Sequence, residues 1–209
     1  MIFLAKGLYA ITDTAKLSSD IMLTKTEEIL RAGAKILQYR NKQADQDTRI
    51  SEAGQLVELC KQFAVPIIIN DDIALAAQVG ADGVHLGKSD SSIAEARKRL
   101  GNNAIIGYSC YNDLDRASDA VNAGADYIAF GAFFPSPSKP DAVNASPEII
   151  QAAKQQFDVS VVAIGGITPE NGQSLIDAGA DMLAVIGGLY ASETPFNTAT
   201  KYVNLFNNH

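Results

Sequence analysis

The run Gln38-Tyr39-Arg40-Asn41-Lys42 sets an amide, a guanidinium and an ammonium at alternate positions. In an extended segment alternate side chains leave the same face, so Gln38 and Arg40 project together, and Lys42 joins them where the chain stays extended. Arg binds two oxygens at once and Lys adds a mobile point charge, a set suited to a polyphosphate. The competing reading is an arginine paired with a surface carboxylate. Further on, Asn70-Asp71-Asp72 and His85-Leu86-Gly87-Lys88-Ser89-Asp90 bring acidic groups. One from each, Asp71 and Asp90, could share a Mg2+ ion, which commonly takes one or two protein carboxylates and completes its shell with water and phosphate oxygens. Asp72 is assigned instead to capping the following helix.

Other polar positions are weaker signals. His85 is the one histidine besides His209, and inside an apolar run it reads as a packed, hydrogen-bonded residue rather than an acid or base. Ser109 could donate its hydroxyl to a phosphate, but no acid-base partner is legible that would make it a nucleophile. The stretch Gly131-Ala132-Phe133-Phe134-Pro135-Ser136-Pro137-Ser138-Lys139-Pro140 has no helical spacing, and such long loops in compact domains are commonly lids or binding loops. Ser136 and Ser138 supply two hydroxyls there, and Lys139 a cation that could neutralise a departing phosphate. The glycines of Ile164-Gly165-Gly166-Ile167 and Val185-Ile186-Gly187-Gly188 let backbone N–H groups approach an oxyanion, which points to a second phosphate site.

These residues need a scaffold that brings them together. Short apolar runs recur at Gly7 to Ile11, Lys35 to Tyr39, Pro66 to Ile69, Gly83 to Leu86, Ala104 to Tyr108, Tyr127 to Phe130, Val161 to Ile164 and Met182 to Ile186. They are continuous rather than alternating, as expected of parallel strands covered on both faces. Helical spacing fills the gaps, most clearly at Thr48 to Phe63, Asp113 to Ala123, Pro147 to Phe157 and Asn171 to Ala178, the last with an expected start at Thr168-Pro169-Glu170. Ala32-Gly33-Ala34, Val79-Gly80-Ala81-Asp82, Ala123-Gly124-Ala125-Asp126 and Ala178-Gly179-Ala180-Asp181 each separate a helix from the next strand, where glycine ends a helix readily; they support architecture, not chemistry. Eight βα units without a dinucleotide fingerprint after the first strand favour a single-domain α/β fold over residues 1–209, a closed (β/α)8 TIM barrel. Active sites of that fold lie where strands end, and every polar motif above follows a strand-like run.

Composition narrows the function classes. With 47% hydrophobic and 20% charged residues, the 209-residue chain can bury a large core. Its net charge of -7, without any block of Lys or Arg, opposes binding to nucleic acid or anionic membranes, so an anionic substrate must be met by a few local cations. Cys60 and Cys110 have no metal-site spacing and are too few for a disulfide framework, and no signal peptide or membrane span is evident. The expected setting is cytoplasmic. A homo-oligomer is compatible with the sequence, which carries no information on oligomeric state.

Taken in order, Gln38-Tyr39-Arg40-Asn41-Lys42, Ile69-Asn70-Asp71-Asp72, Gly83-Val84-His85-Leu86-Gly87, Pro135-Ser136-Pro137-Ser138-Lys139 and Ile164-Gly165-Gly166-Ile167 resemble the thiamine phosphate synthase family, and the likeness runs from Gly7-Leu8-Tyr9-Ala10-Ile11-Thr12-Asp13 to the eighth strand. The resemblance implies a Mg2+-dependent transferase that condenses 4-amino-2-methyl-5-hydroxymethylpyrimidine diphosphate with a thiazole phosphate, releasing pyrophosphate by a dissociative substitution. It implies Asp71 and Asp90 as Mg2+ ligands and Gln38, Arg40, Lys42, Asn70, Ser109 and Lys139 around the pyrimidine diphosphate, with Arg40, Ser109 and Lys139 as the catalytic group. It also implies Gly165, Gly166, Ile186 and Gly187 at the thiazole phosphate, with Ser136 and Ser138 near the thiazole substrate. Gly187 stands where the family often has Ser, Ser136 where Thr is usual, Lys88 where Gln is frequent and Tyr111 where many members carry His. Two alternatives stay open: a related barrel that isomerises a thiazole phosphate, needing an acid-base group more than a metal, and a barrel that binds a phosphorylated ligand without catalysis.

Overall fold

A computed structural model describes residues 4–14, 17–88, 90–135 and 145–207. The elements in chain order are β1 (Gly7–Ile11), α1 (Ser19–Arg31), β2 (Ile36–Tyr39), α2 (Gln46–Phe63), β3 (Ile67–Asn70), α3 (Ile73–Val79), β4 (Gly83–Leu86), α4 (Ile93–Leu100), β5 (Ile105–Tyr111) and α5 (Leu114–Asn122). They continue with β6 (Tyr127–Phe130), α6 (Pro147–Gln156), β7 (Ser160–Ile164), α7 (Gln173–Asp177), β8 (Met182–Val185), α8 (Gly187–Tyr190) and α9 (Pro195–Phe206). All eight strands pair in parallel in sequence order, and β8 closes on β1, giving the expected barrel.

Closure divides the apolar residues between two cores. Tyr9, Ile11, Ile36, Ile68, Ile105, Tyr127, Val162, Met182 and Ala184 fill the barrel, while Leu8, Leu37, Ile69, Val84, Ile106, Ile128 and Leu183 from the other face of the same strands pack under the helices. The strict alternation along each strand places Gln38 and Arg40 in series with Ile36, Asn70 with Ile68, and Ser109 with Ile105. Deep positions are therefore apolar and the last inward position of several strands is polar, which creates a polar rim at their carboxyl ends.

The Ala-Gly-Ala-Asp repeats prove to be joints at the opposite end of the barrel. The glycines have positive φ, 69° at Gly80 and 107° at Gly179, and the aspartates reach back to the strand before. Asp82 accepts from Ile67 N at 2.8 Å, Asp126 from Ile106 N at 2.9 Å and Asp181 from Val161 N at 2.9 Å. Arg97 and Lys154 balance the charges of the two most buried of these carboxylates.

Three boundaries differ from expectation. β5 runs to Tyr111 rather than ending at Tyr108, because a register shift between Ser109 and Tyr111 lets pairing with β6 continue. The helix expected to begin at Thr168 begins at Gln173, after a turn over residues 169–172. There the Asn171 side chain is occupied by Thr168 N and Gly166 O, and folds the chain as a turn first. The last unit also splits into α8 and α9, with Pro195 opening α9.

Candidate active site

At the end of β2, the backbone of Arg40 is clamped by the buried Thr12, whose hydroxyl accepts from Arg40 N at 2.8 Å and donates to Arg40 O at 3.2 Å. Its guanidinium forms no hydrogen bond or ion pair with another described residue and so remains free for an anion. Lys42 leans the other way, with Nζ 2.9 Å from Asp71 Oδ2. Asn70 ends β3 opposite His85 of β4. Asp71 N donates to His85 O at 2.9 Å while the Asp71 backbone turns left-handed, with φ of 63°, a conformation that Asp tolerates better than most residues.

The Asp71 and Asp90 carboxyl groups are near enough for each to act on the charge of the other. Asp90 also accepts from Gly87 N at 2.6 Å, which holds the β4 loop around it. Burial, and then the neighbouring Asp71 carboxylate, push the Asp90 carboxyl above the usual range, against the opposing pull of the Gly87 N–H and the Lys42 ammonium. Two close carboxylates with an ammonium beside them form a site that favours cations, and the oxygen donors suit a hard one. Among the described residues no set of three His, Cys, Asp or Glu side chains gathers around one point, so an ion here would take two protein ligands and fill its shell otherwise. Asp72, as expected, caps α3 by accepting from Leu75 N at 2.9 Å, and it also holds Arg49.

A cavity of about 520 Å3 opens beside Asp71, lined by Lys42, Asn70 and Asp72 together with Arg49 and Arg99. Gln38, Arg40 and Ser109 are not in its lining, so it marks the flank of the mouth and not the barrel axis.

Glu52 of α2 is a functional neighbour that sequence reading missed. It is 5% exposed and accepts from Tyr39 Oη at 2.6 Å, Ser19 Oγ at 2.7 Å and Asn41 Nδ2 at 2.9 Å. It therefore fixes the loop that carries Arg40 and Lys42. The signal was its place four residues before Leu56 and eight before Cys60, on the buried row of α2. Glu52→Ala leaves three donors without their charged acceptor and should cost about 3 kcal/mol, measured by urea denaturation.

Inside the rim, polar groups from five strands join. Gln38 Nε2 donates to Tyr9 Oη at 2.7 Å, Tyr9 Oη lies 2.8 Å from Tyr127 Oη, Tyr127 Oη lies 2.9 Å from His85 Nδ1, and His85 Nε2 lies 2.8 Å from Ser109 Oγ. The His85 ring stacks on Tyr127 at 5.5 Å. The absence of a Ser–His pairing, expected from sequence, is thus corrected, because the two residues lie on adjacent strands and meet once β4 and β5 align. The pair does not make a nucleophile. Burial pushes the imidazole pKa down to about 4, too low for a general base at neutral pH, and the group orienting it is a phenol instead of a carboxylate.

The depressed value carries a stability consequence. The unfolded chain takes up a proton near pH 6.5 and the folded chain only near 4, so stability is complete above pH 6.5 and falls between these values. The loss is at most about 3 kcal/mol. Urea denaturation at pH 7 and pH 4.5 should show a smaller drop for His85→Gln than for the native chain.

The remaining site residues divide into three groups. Gly165 and Gly166 have positive φ of 106° and 65°, and a Cβ on Gly166 would sit 2.5 Å from Phe134 O, so close packing against the loop after β6 also requires these glycines. Ile186 and Gly187 lead into α8, near Asp13. Ser136, Ser138 and Lys139 lie outside the described residues.

A closed parallel barrel with cations, paired carboxylates and polar side chains at the carboxyl ends of its strands has the plan of a (β/α)8 barrel enzyme. The model of one family, described as thiamine monophosphate synthase, matches residues 8–189, and the chain belongs to that family. It is 50% identical over 197 residues to a thiamine-phosphate synthase of Nitrosococcus oceani, covering 94% of this chain and 91% of that one. A thiamine-phosphate synthase of Azoarcus sp. strain BH72 is also 50% identical, over 201 residues that cover 96% and 97% of the two chains. Among solved structures, a thiamine phosphate pyrophosphorylase from Pyrococcus furiosus superposes with a TM-score of 0.87 at 30% identity, covering 97% of this chain and 96% of that one.

Proposed function

We propose that residues 1–209 form one catalytic barrel domain that acts as a thiamine phosphate synthase, a transferase joining 4-amino-2-methyl-5-hydroxymethylpyrimidine diphosphate to a thiazole phosphate with release of pyrophosphate. The observation that carries this is the meeting of Asp71 and Asp90, from the ends of adjacent strands, beside Lys42 and on the rim that Arg40 shares, in a chain 50% identical to thiamine-phosphate synthases.

Asp71 and Asp90 would hold Mg2+, which when bound supplies concentrated positive charge to the diphosphate oxygens. Arg40 and Lys42 bind the same anion, and Lys42 can pass from Asp71 to phosphate as substrate enters. Gln38 and Asn70 orient the pyrimidine end, while Ser109 donates to the diphosphate. Lys139 meets the charge that develops as pyrophosphate departs. The electron-rich pyrimidine carries the resulting benzylic-type cation until the thiazole nitrogen attacks, so the chain needs alignment and electrostatic stabilisation and no nucleophilic side chain. The thiazole phosphate would meet backbone N–H groups at Gly165, Gly166, Ile186 and Gly187, with Ser136 and Ser138 beside the ring.

The family's chemistry points to small-molecule substrates and a cytoplasmic setting. No helix of the described residues is long and apolar enough to cross a membrane. Cys60 and Cys110 are free, buried thiols whose pKa is pushed up to about 12 by burial, so they stay protonated and unreactive. Incubation with both substrates and Mg2+ should yield thiamine phosphate by mass spectrometry, and a chelator should abolish it. Isomerisation of a thiazole phosphate that survives the chelator would overturn the assignment in favour of a tautomerase.

A further inference from the structure

The polar series inside the barrel has a direction. Resting on the function proposed above, we infer that Tyr9, Tyr127 and His85 are positioning residues that hold His85 as its Nε2–H tautomer and turn the Ser109 hydroxyl proton outward, toward the substrate anion.

Four links join five groups at 2.7 to 2.9 Å, and each link holds one proton. Gln38 Nε2 donates to Tyr9, which is 1% exposed. Among the described residues, and with the Gln38 amide as donor, the phenol proton of Tyr9 has one acceptor within reach, Tyr127 Oη, and a proton left unpaired at that depth carries the full desolvation penalty. Tyr127 is 0% exposed and must pass its own proton to His85 Nδ1. That nitrogen is therefore bare, and the single proton of the neutral imidazole sits on Nε2 and points at Ser109 Oγ. Ser109 receives a hydrogen bond from inside the barrel, and its own proton remains for a group at the mouth.

The opposite polarity is also a closed series, but it requires the Gln38 carboxamide to be turned over. Tyr9 would then donate to the amide oxygen, His85 would carry its proton on Nδ1, and Ser109 would donate inward to Nε2. Only lone pairs would face the anion, which repels them. The ordering with Gln38 as donor is the one that prepares Ser109 for a diphosphate.

The barrel makes specific room for the central member of the series. A Cβ on Gly107 would lie 1.9 Å from Tyr127 Cζ, so the ring crosses the interior only because β5 has no side chain there. Tyr127 meets Tyr9 edge to face at 5.9 Å and stacks on His85, which fixes its hydroxyl between its two partners.

The first test needs no active enzyme. The chain has two histidines, so protein labelled with 15N-histidine gives two sets of imidazole signals, and a His209→Gln variant identifies those of His85. Long-range 15N–1H correlation at pH 7.5 should show His85 with Nε2 protonated and Nδ1 bare. A proton on Nδ1, or averaging between both forms, would overturn the inference. Tyr127→Phe keeps the ring and removes the donor, so His85 should then sample both tautomers and kcat should fall about tenfold, the loss expected when one charge-facing donor is misdirected. A variant that retains the single tautomer and native kcat would overturn it as well. If the native chain makes no thiamine phosphate while the tautomer is as described, the functional proposal fails and the polarity stands.

Discussion

Asp90→Asn should lower turnover at saturating substrates by a hundredfold or more while leaving the melting temperature unchanged or raised. The two expectations have one cause. Asp90 is partly buried near Asp71, and burial together with that neighbour disfavours its charged form. A carboxylate kept there works against the fold and in favour of cation binding. Asparagine keeps an oxygen to accept from Gly87 N, so the 2.6 Å contact that shapes the β4 loop survives. The mutual repulsion with Asp71 is removed along with half of the ion's protein charge. Loss of one electrostatic stabiliser in a preorganised site typically costs about 100- to 1,000-fold in rate. Steady-state kinetics across a Mg2+ titration and differential scanning calorimetry check both halves, and a variant that loses activity by unfolding would refute the account of Asp90.

Lys139→Ala should reduce kcat by about 100- to 1,000-fold and change KM for the pyrimidine diphosphate much less. In the proposed site Arg40 and Lys42 would already meet the diphosphate in the ground state, Lys42 from its ion pair with Asp71. A further cation, on the stretch that follows β6, is worth most where charge grows, on the departing pyrophosphate. Uniform ground-state binding would instead raise KM and spare kcat. Near-normal turnover in a steady-state assay with circular dichroism confirming the fold would remove Lys139 from the leaving-group role.

The barrel was legible because continuous apolar runs, glycine joints and helical spacing all imply the same layered plan, and the structure places the eight strands close to where those runs lie. The rim was legible for a simpler reason: in this fold strand ends are the site, so the residues after β2, β3 and β4 could be picked out by position alone. Interactions that depend on closure were harder to see. Tyr9 and Tyr127 lie 118 positions apart and meet only across the finished interior, where two tyrosines in separate strand-like runs read simply as core. The Ser109–His85 contact likewise needs the β4–β5 register. Glu52 was hidden because one acid on an otherwise apolar helix row looks like a surface residue until the loop it anchors is in place. The helix expected from Thr168 failed on local competition, since the Asn171 amide made a tighter turn before α7 could start.

The cation proposed to be shared at the ends of β3 and β4 would be most directly visible in a crystal grown with Mn2+ and pyrophosphate, using anomalous scattering to locate the metal. One ion within about 2.0–2.3 Å of an oxygen of both Asp71 and Asp90, with pyrophosphate oxygens completing its shell and Arg40 on the same anion, is the expected result. An ion held by only one of the two carboxylates, or a pyrophosphate bound away from Arg40, would contradict it.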